Sequence, residues 1–115
     1  MPPIRMTLQV QMVLAEMLSE PAAPRYGLDL GGTTGLPSGT IYPILARLER
    51  IGWVDSDWED PDAHIAEGRP RRRYYRLSRE GAECADEALR AIQRTRKNAA
   101  RAWRIAAPGT SGAGA

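Results

Sequence analysis

The sequence predicts an α+β fold that is mainly helical, and three observations support this prediction. A short helix with both ends marked is predicted within residues 36–52. Two strand-like segments with an acidic run and an arginine cluster between them follow it, and the longest helical segment closes the chain. A helix pair followed by a strand pair and a long helix indicates a winged helix-turn-helix with a long C-terminal dimerisation helix.

The first predicted helix runs from Thr7 to Ser19. Its apolar residues recur at three- and four-residue steps, which places them on one helix face: Val10, Val13, Leu14, Met17 and Leu18. Thr7 can cap this helix, and Pro21 and Pro24 end it. Residues 1–5 are expected to form a loose arm.

The segment Arg25–Leu30 is predicted to form the start of a second, short helix. Gly31 and Gly32 weaken its end, because glycine costs about 1 kcal/mol in a helix interior. Residues 33–35 then make the turn into the third helix. A helix, a glycine-bearing turn and another helix in this order form a helix-turn-helix.

The third helix is the recognition-helix candidate. Ser38 is a good N-cap, and Gly52 suits the left-handed position just past the last turn. One face is apolar: Ile41, Ile44, Leu45, Leu48 and Ile51. The other carries groups that can donate to phosphates or base edges: Thr40, Tyr42, Arg47 and Arg50. This pattern suits a DNA major groove, although an ordinary amphipathic core helix shares it.

The next two segments are predicted to form a wing. Residues 53–58 alternate between two faces, and residues 71–78 are the return strand. Residues 59–68 are acidic and contain proline and glycine, so they are expected to form a loop. Trp53 and Trp58 are expected to brace this wing.

The last predicted helix runs from Arg79 to about Ala107, with Ser78 as its cap. Alternating four- and three-residue steps produce a coiled-coil-like seam: Ala85, Leu89, Ile92, Arg96, Ala99, Trp103 and Ala106. The chain is therefore divided into a DNA-binding domain (1–78), a dimerisation helix (79–108) and a disordered tail (109–115).

Charge is distributed unevenly along the 115 residues, although the net charge is only +2. Residues 51–68 carry six acidic side chains and no lysine or arginine, whereas residues 69–80 carry six arginines and one glutamate. This asymmetry favours a polyanion as the partner.

Several function classes are excluded by composition. One cysteine and one histidine rule out an internal disulfide framework, a cysteine-based zinc site and a histidine cluster. No nucleophile–base pair, metal set or phosphate loop is visible, so we expect neither an enzyme nor a bound cofactor. No apolar run approaches the ~18 residues of a membrane span, and the N-terminus lacks a signal-peptide pattern, so the expected compartment is the cytoplasm.

Three blocks of the sequence carry a resemblance to a known family. They are Tyr26-Gly27, the segment LPSGTIYPILARLE at residues 36–49 and the segment GRPRRRYYRLSREG at residues 68–81. In this order and spacing they strongly resemble the PadR family of bacterial winged-helix transcriptional regulators, and the length resembles its short subfamily.

The resemblance implies a homodimer whose last helix packs against the partner subunit. Each subunit would present a recognition helix and a wing to a palindromic operator in double-stranded DNA. Many such proteins are repressors that small aromatic compounds release. The chain departs from the family pattern at Gly31-Gly32 and in its long acidic wing loop, which would repel phosphate at the wing tip.

The expected DNA contacts lie on the third helix and at the base of the wing: Ser38, Gly39, Thr40, Tyr42, Arg47, Arg69, Arg71 and Arg72. Two alternatives stay open. The arginines could form a solvated strand paired with the neighbouring acidic run, and Tyr42 could be a half-buried core residue. Arg73 shares a strand face with Tyr75 and Leu77, which favours a structural role for it.

Trp103 is expected to fill the dimer seam or, alternatively, to line a pocket for an aromatic effector. The predicted function is a sequence-specific DNA-binding regulator, a dimeric repressor in the first instance. The alternative is a winged-helix protein-interaction module without specific DNA binding, which would dock through its acidic loop.

Overall fold

The computed structural model describes residues 2–106, apart from the side chains of Ala63 and His64. It confirms the predicted winged helix-turn-helix, with five helices and three strands among these residues. The elements are α1 (Leu8–Ser19), β1 (Arg25–Tyr26), α2 (Gly27–Thr34), α3 (Ser38–Arg50), β2 (Val54–Trp58), α4 (Pro61–Glu67), β3 (Arg73–Leu77) and α5 (Arg79–Ala106). The tail predicted for residues 109–115 and the predicted end of the last helix lie outside the described residues.

The three strands form one antiparallel sheet in the order β1-β3-β2. Val54 pairs with Leu77 and Trp58 pairs with Arg73 across the wing. On the other side of β3, Arg25 pairs with Tyr75. The prediction of helix from Arg25 is therefore wrong at its first two residues, because a two-residue strand has no period of its own and exists through its distant partner.

One apolar core joins α1, α2, α3 and the sheet, and α5 covers it. Its fully buried side chains include Leu14, Met17, Leu30, Ile41, Leu45, Leu48 and Val54. Ile4 is only 7% exposed and belongs to this core, so the prediction of a loose arm over residues 1–5 is wrong at Ile4. The Thr7 side chain accepts the Val10 backbone N–H at 3.2 Å, as its predicted capping role requires.

The second helix continues through both glycines that were expected to weaken its end. Its last turn is stabilised locally, because the hydroxyls of Thr33 and Thr34 donate to the Leu30 carbonyl and the Gly35 N–H donates to the Gly31 carbonyl at 2.9 Å. Leu30 is fully buried and anchors this turn in the core. These contacts offset the low helix propensity of glycine.

The recognition-helix candidate has the predicted apolar face, since Ile41, Ile44, Leu45 and Leu48 are buried. Its start differs from the prediction: Pro37 occupies the N-cap and provides no side-chain cap hydrogen bond, and Ser38 is the first helical residue. Its end is as predicted, because Gly52 takes the left-handed conformation with φ +83°.

The acidic segment of the wing is not a simple loop, as the sequence suggested, because α4 occupies most of it. Pro61 is the first helical residue, a position that tolerates proline because the missing N–H would be unpaired there anyway. The Asp62 N–H donates to the Asp60 side chain at 2.9 Å and so helps to begin this helix.

The long helix α5 begins at the predicted cap, where the Ser78 side chain accepts the Gly81 N–H at 2.9 Å. Gly81 and Ala85 are buried, whereas every residue from Gln93 to Ala106 is exposed. The radius of gyration is 19.0 Å, against about 13 Å for a compact chain of this length. The second half of α5 therefore extends away from the body. None of the described helices has the length and apolar character needed to cross a bilayer.

Candidate nucleic-acid interface

The outer face of α3 exposes most of the residues predicted to contact DNA. Ser38, Gly39 and Arg47 are exposed and Thr40 is half-buried. The Arg47 Nε donates to the Pro43 carbonyl of the same helix at 3.3 Å, which holds its side chain along the surface. This face therefore presents a small, hydroxyl-bearing first turn and a cation farther along.

Tyr42 lies on the same face with 44% of its surface exposed. Its ring packs directly against Gly27, the first residue of α2, since a Cβ added at that glycine would lie 2.6 Å from the ring. Tyr42 is therefore partly packed, as its alternative interpretation held, and partly available to a ligand. The sequence analysis noted Tyr26-Gly27 without assigning this role, and only the helix packing brings Gly27 and Tyr42 together.

An open groove of about 620 Å³ separates α3 and the start of α2 from the wing. Its lining joins residues far apart in sequence: Tyr26, Gly27, Leu28, Tyr42, Trp58, Arg69, Pro70, Arg71, Arg72, Arg73 and Tyr75. The structure thus brings Tyr42 of the recognition-helix candidate together with the wing arginines. Four guanidinium groups at one groove form a strongly basic surface.

Arg71 and Arg72 are each oriented by an aromatic ring. The Arg72 guanidinium lies 4.4 Å from the Tyr26 ring centroid, and that of Arg71 lies 5.6 Å from the Trp58 ring centroid. Guanidinium groups are attracted to the negative faces of such rings. Both side chains are therefore held at the groove while their charges stay accessible.

The ring beneath Arg72 is itself held in place. The Tyr26 and Tyr74 hydroxyls lie 3.0 Å apart and their ring centroids 4.7 Å apart. This hydrogen bond, in which either hydroxyl can be the donor, lowers the pKa of Tyr26 and raises the pKa of Tyr74. Because Tyr26 belongs to β1 and Tyr74 to β3, the short edge strand positions the Arg72 platform.

Arg69 differs from its neighbours because it is bound by carboxylates. Its guanidinium contacts both oxygens of Glu59, and its Nε contacts Glu67 at 2.5 Å. The Arg69 side chain is only 19% exposed. This contact holds the pKa of Glu59 at about 2, well below its usual 4.5, and raises the pKa of Arg69. The sequence left open whether the wing arginines pair with the neighbouring acidic run, and Arg69 does so.

Arg73 has the structural position that the strand pattern indicated. Its Nη2 lies 2.7 Å from the Ser56 hydroxyl oxygen and 3.4 Å from the Glu49 carboxylate. It thereby connects the two wing strands to α3. The Trp58 ring lies beside the guanidinium groups of both Arg71 and Arg73. Trp53 is buried instead, and the Trp53 backbone carbonyl accepts the Ser78 N–H at 2.9 Å.

Trp103 lies on the exposed half of α5 with 71% of its surface exposed. A separate apolar cleft of about 650 Å³ lies between the N-terminal arm and the first half of α5; it is lined by residues 2–6, Ala88, Ala91, Ile92, Thr95 and Arg96. This cleft was not predicted from the sequence, although the apolar start of the chain was a signal for it.

Across residues 2–106, setting aside the two undescribed side chains, no three His, Cys, Asp or Glu residues are placed to hold a metal ion.

Comparison with known proteins adds the family. The transcriptional regulator PadR-like family matches residues 16–87. The fold is similar to that of a PadR family regulator from Eggerthella lenta, with a TM-score of 0.65 and 23% identity over 82% of this chain and 83% of that one. A PadR family regulator from Clostridium difficile has a TM-score of 0.64 and 21% identity, over 80% and 95% of the two chains.

A similar fold occurs in MepR, a regulator of a Staphylococcus aureus multidrug efflux pump, with a TM-score of 0.62 and 14% identity over 83% of this chain and 64% of that one. No curated protein matches the sequence. The family match covers more than half of the chain, and members of this family are transcriptional regulators and not enzymes. The chain belongs to the PadR-like family of transcriptional regulators.

Proposed function

We propose that this regulator is a homodimeric repressor that binds a palindromic operator in double-stranded DNA. The observation that carries the proposal is the basic groove, which joins the exposed face of α3 to Arg71 and Arg72. A recognition helix and a basic wing on one side of a small domain can engage a groove and its flanking phosphates together.

The two parts of this surface have different roles in the proposal. Residues of the first turns of α3 approach base edges in the major groove, as recognition helices do: Ser38, Gly39, Thr40 and Tyr42. Arg71 and Arg72 contact phosphates and supply affinity without sequence information. Arg47 contacts the backbone from the far end of α3. Arg69 is bound by two carboxylates, so its direct contribution is expected to be smaller.

The exposed half of α5 supports the homodimer. Trp103, a residue of the predicted seam, is a large apolar side chain with 71% of its surface in solvent. A second copy of the chain can cover this face through the predicted seam. Two subunits would then present two recognition helices, and the symmetry of the dimer requires a palindromic site.

The effector site of the proposal lies between the two subunits. A small aromatic compound would bind on the apolar α5 surfaces between the subunits, where Trp103 offers a ring to stack against. Its binding would change the separation of the recognition helices and release the operator. We place the protein in the bacterial cytoplasm, where it has access to DNA.

Selection of bound duplexes from a random DNA library tests the proposal. We expect a palindromic consensus, and binding to it that weakens steeply with salt. Recovery of no consensus together with salt-insensitive binding would contradict DNA recognition. It would favour the protein-interaction alternative, for which the exposed Asp60 and Asp62 would be the docking residues.

Two variants assign roles on the selected site. Arg72→Ala should weaken binding to all sequences by a similar factor and reduce the slope of log affinity against log salt by about 0.9. Arg76→Ala is the matched control, since this exposed arginine of β3 lines a different surface with Asp55 and Asp57. Tyr42→Ala should weaken binding with little change in melting temperature. Normal operator binding by Tyr42→Ala, or an unchanged salt slope for Arg72→Ala, would contradict these roles.

A further inference from the structure

We infer that Glu59 is the positioning residue of the wing, an acidic side chain that the protein requires in order to bind a polyanion. The inference rests on the proposed DNA-binding function. Glu59 makes five hydrogen bonds, and its partners are Arg69, Arg71 and Arg72. These are the three wing arginines that the sequence singled out.

Both oxygens of the Glu59 carboxylate accept hydrogen bonds in this arrangement. One oxygen contacts Arg69 Nη1 and accepts the Arg72 backbone N–H at 2.7 Å. The other accepts Arg69 Nη2 at 2.9 Å. Two parallel contacts between a guanidinium and a carboxylate are strong and fix the direction of both groups. Arg69 is therefore the inner partner that holds Glu59 in place.

The backbone of Glu59 completes the contacts. Its N–H donates to the Arg72 carbonyl at 2.9 Å, so Glu59 and Arg72 are joined by both main chain and side chain. Its carbonyl accepts the Arg71 Nε at 2.9 Å. These bonds fix the backbone from which Arg72 reaches the Tyr26 ring and restrain the Arg71 side chain beside Trp58.

Burial separates Glu59 from the acidic residues that follow it. Glu59 is 3% exposed, whereas Asp60 and Asp62 are exposed. Its charge is compensated by Arg69 next to it, so it adds little repulsion toward a phosphate. Because Glu59 holds Arg71 and Arg72 in place, the phosphate contacts that these two arginines make can outweigh that repulsion.

The negative charge of Glu59, considered alone, predicts the opposite effect on DNA affinity. If Glu59 acted only through its charge, its removal would strengthen binding to DNA. The positioning role predicts weaker binding, because Arg71 and Arg72 would no longer be held where they contact phosphates. The direction of the change therefore separates the two interpretations.

The experiment compares Glu59→Gln and Glu59→Ala with Asp62→Asn, which removes one negative charge from the same acidic segment without touching an arginine contact. Binding to the selected duplex is titrated at several salt concentrations, at a temperature where thermal melts show every variant to be folded. We expect roughly threefold weaker binding for Glu59→Gln, which keeps an acceptor oxygen, and about tenfold weaker binding for Glu59→Ala, roughly the effect of losing one phosphate contact at ~0.1 M salt. Asp62→Asn should bind as wild type does or more tightly.

The salt dependence is the readout that a purely structural role would not change. We expect the slope for Glu59→Ala to fall by about 0.9 for each phosphate that the wing arginines no longer neutralise. Binding by Glu59→Ala that equals or exceeds wild-type binding, with the full slope, would overturn the inference. Weaker binding with an unchanged slope would also overturn it, since the arginines would then still neutralise the same phosphates.

A measurement on the wild-type chain needs neither DNA nor a folded variant. NMR follows the Arg72 backbone amide, which donates to the Glu59 carboxylate, while acid protonates Glu59, and this resonance should shift with the Glu59 carboxyl. Independence of the Arg72 amide from that titration would refute the contact. If the wild-type chain binds no duplex, the proposed function fails, whereas a DNA-binding wild type with an equally active Glu59→Ala variant refutes only the positioning role.

Discussion

The two halves of α5 belong to one continuous helix and differ in what they contact. Residues 79–92 bury Gly81 and Ala85 against the body, whereas residues 93–106 are fully exposed. The second half carries five basic residues and no acidic one, while the first half carries four acidic and two basic residues. Among the contacts of this second half with the body is that of Arg96, which donates to the Gln11 side chain at 3.5 Å, and a helix segment with so few tertiary contacts gains little stability from propensity alone. The first half therefore completes this subunit, and the second half is suited to a partner.

Disrupting the attachment of α5 to the body should have the largest effect. A Cβ at Gly81 would lie 1.9 Å from the Trp53 carbonyl oxygen, and backbone atoms cannot move aside as a side chain can. Gly81→Ala should therefore lower the free energy of unfolding by about 3 kcal/mol or more, measured by urea denaturation. Gly32→Ala is the control, since no atom lies near its added Cβ, and it should gain up to about 1 kcal/mol. Equal stability of Gly81→Ala and wild type would refute this close packing.

Disrupting the seam should have the next largest effect. It tests directly whether the first half of α5 completes its own subunit and the second half contacts a partner. Leu89 and Ile92 are half-buried within one subunit, so replacing both with aspartate should produce monomers or unfolded chains. Trp103→Asp changes a residue that the subunit leaves exposed, so it should raise the dimer dissociation constant by about 30-fold or more without unfolding the subunit.

Analytical ultracentrifugation and thermal melts together decide this prediction. A folded dimer from the Leu89→Asp, Ile92→Asp double variant would show that the seam does not hold the two subunits together. A Trp103→Asp variant that loses its fold would show instead that the second half of α5 stabilises its own subunit.

The smallest expected effect is on the pH dependence of stability. It compares a carboxylate of the body, Glu59, with a carboxylate on α5, Glu87. The pKa of Glu59 is lowered to about 2 from 4.5, so its contribution to stability is present above pH 4.5 and is lost as the pH falls toward 2. Glu59→Gln should flatten the dependence of unfolding free energy on pH in this window. Glu87→Gln, which removes a pair with Arg94 between two well-exposed side chains, should leave that dependence unchanged. Parallel pH profiles for wild type and Glu59→Gln would contradict the assigned pKa.

The sequence by itself determined the features that are encoded locally. The apolar faces of α1 and α3, the caps at Thr7 and Ser78 and the left-handed Gly52 follow from spacing and from end signals a few residues long. The winged-helix class followed from the order of such elements. Arg73 was also assigned correctly, because alternation along β3 places it beside Tyr75.

Only the tertiary structure decided what each arginine contacts. Arg69, Arg71 and Arg72 are similar neighbours in the sequence, yet one is bound by carboxylates and the others lie beside Trp58 and Tyr26. The strand β1, the burial of Ile4 and the inward direction of Glu59 likewise depend on partners distant in the chain. Periodicity shows which face of an element is apolar, but it carries no information about which distant residue that face contacts. Ion pairs and edge-strand pairing form only when such distant segments come into contact.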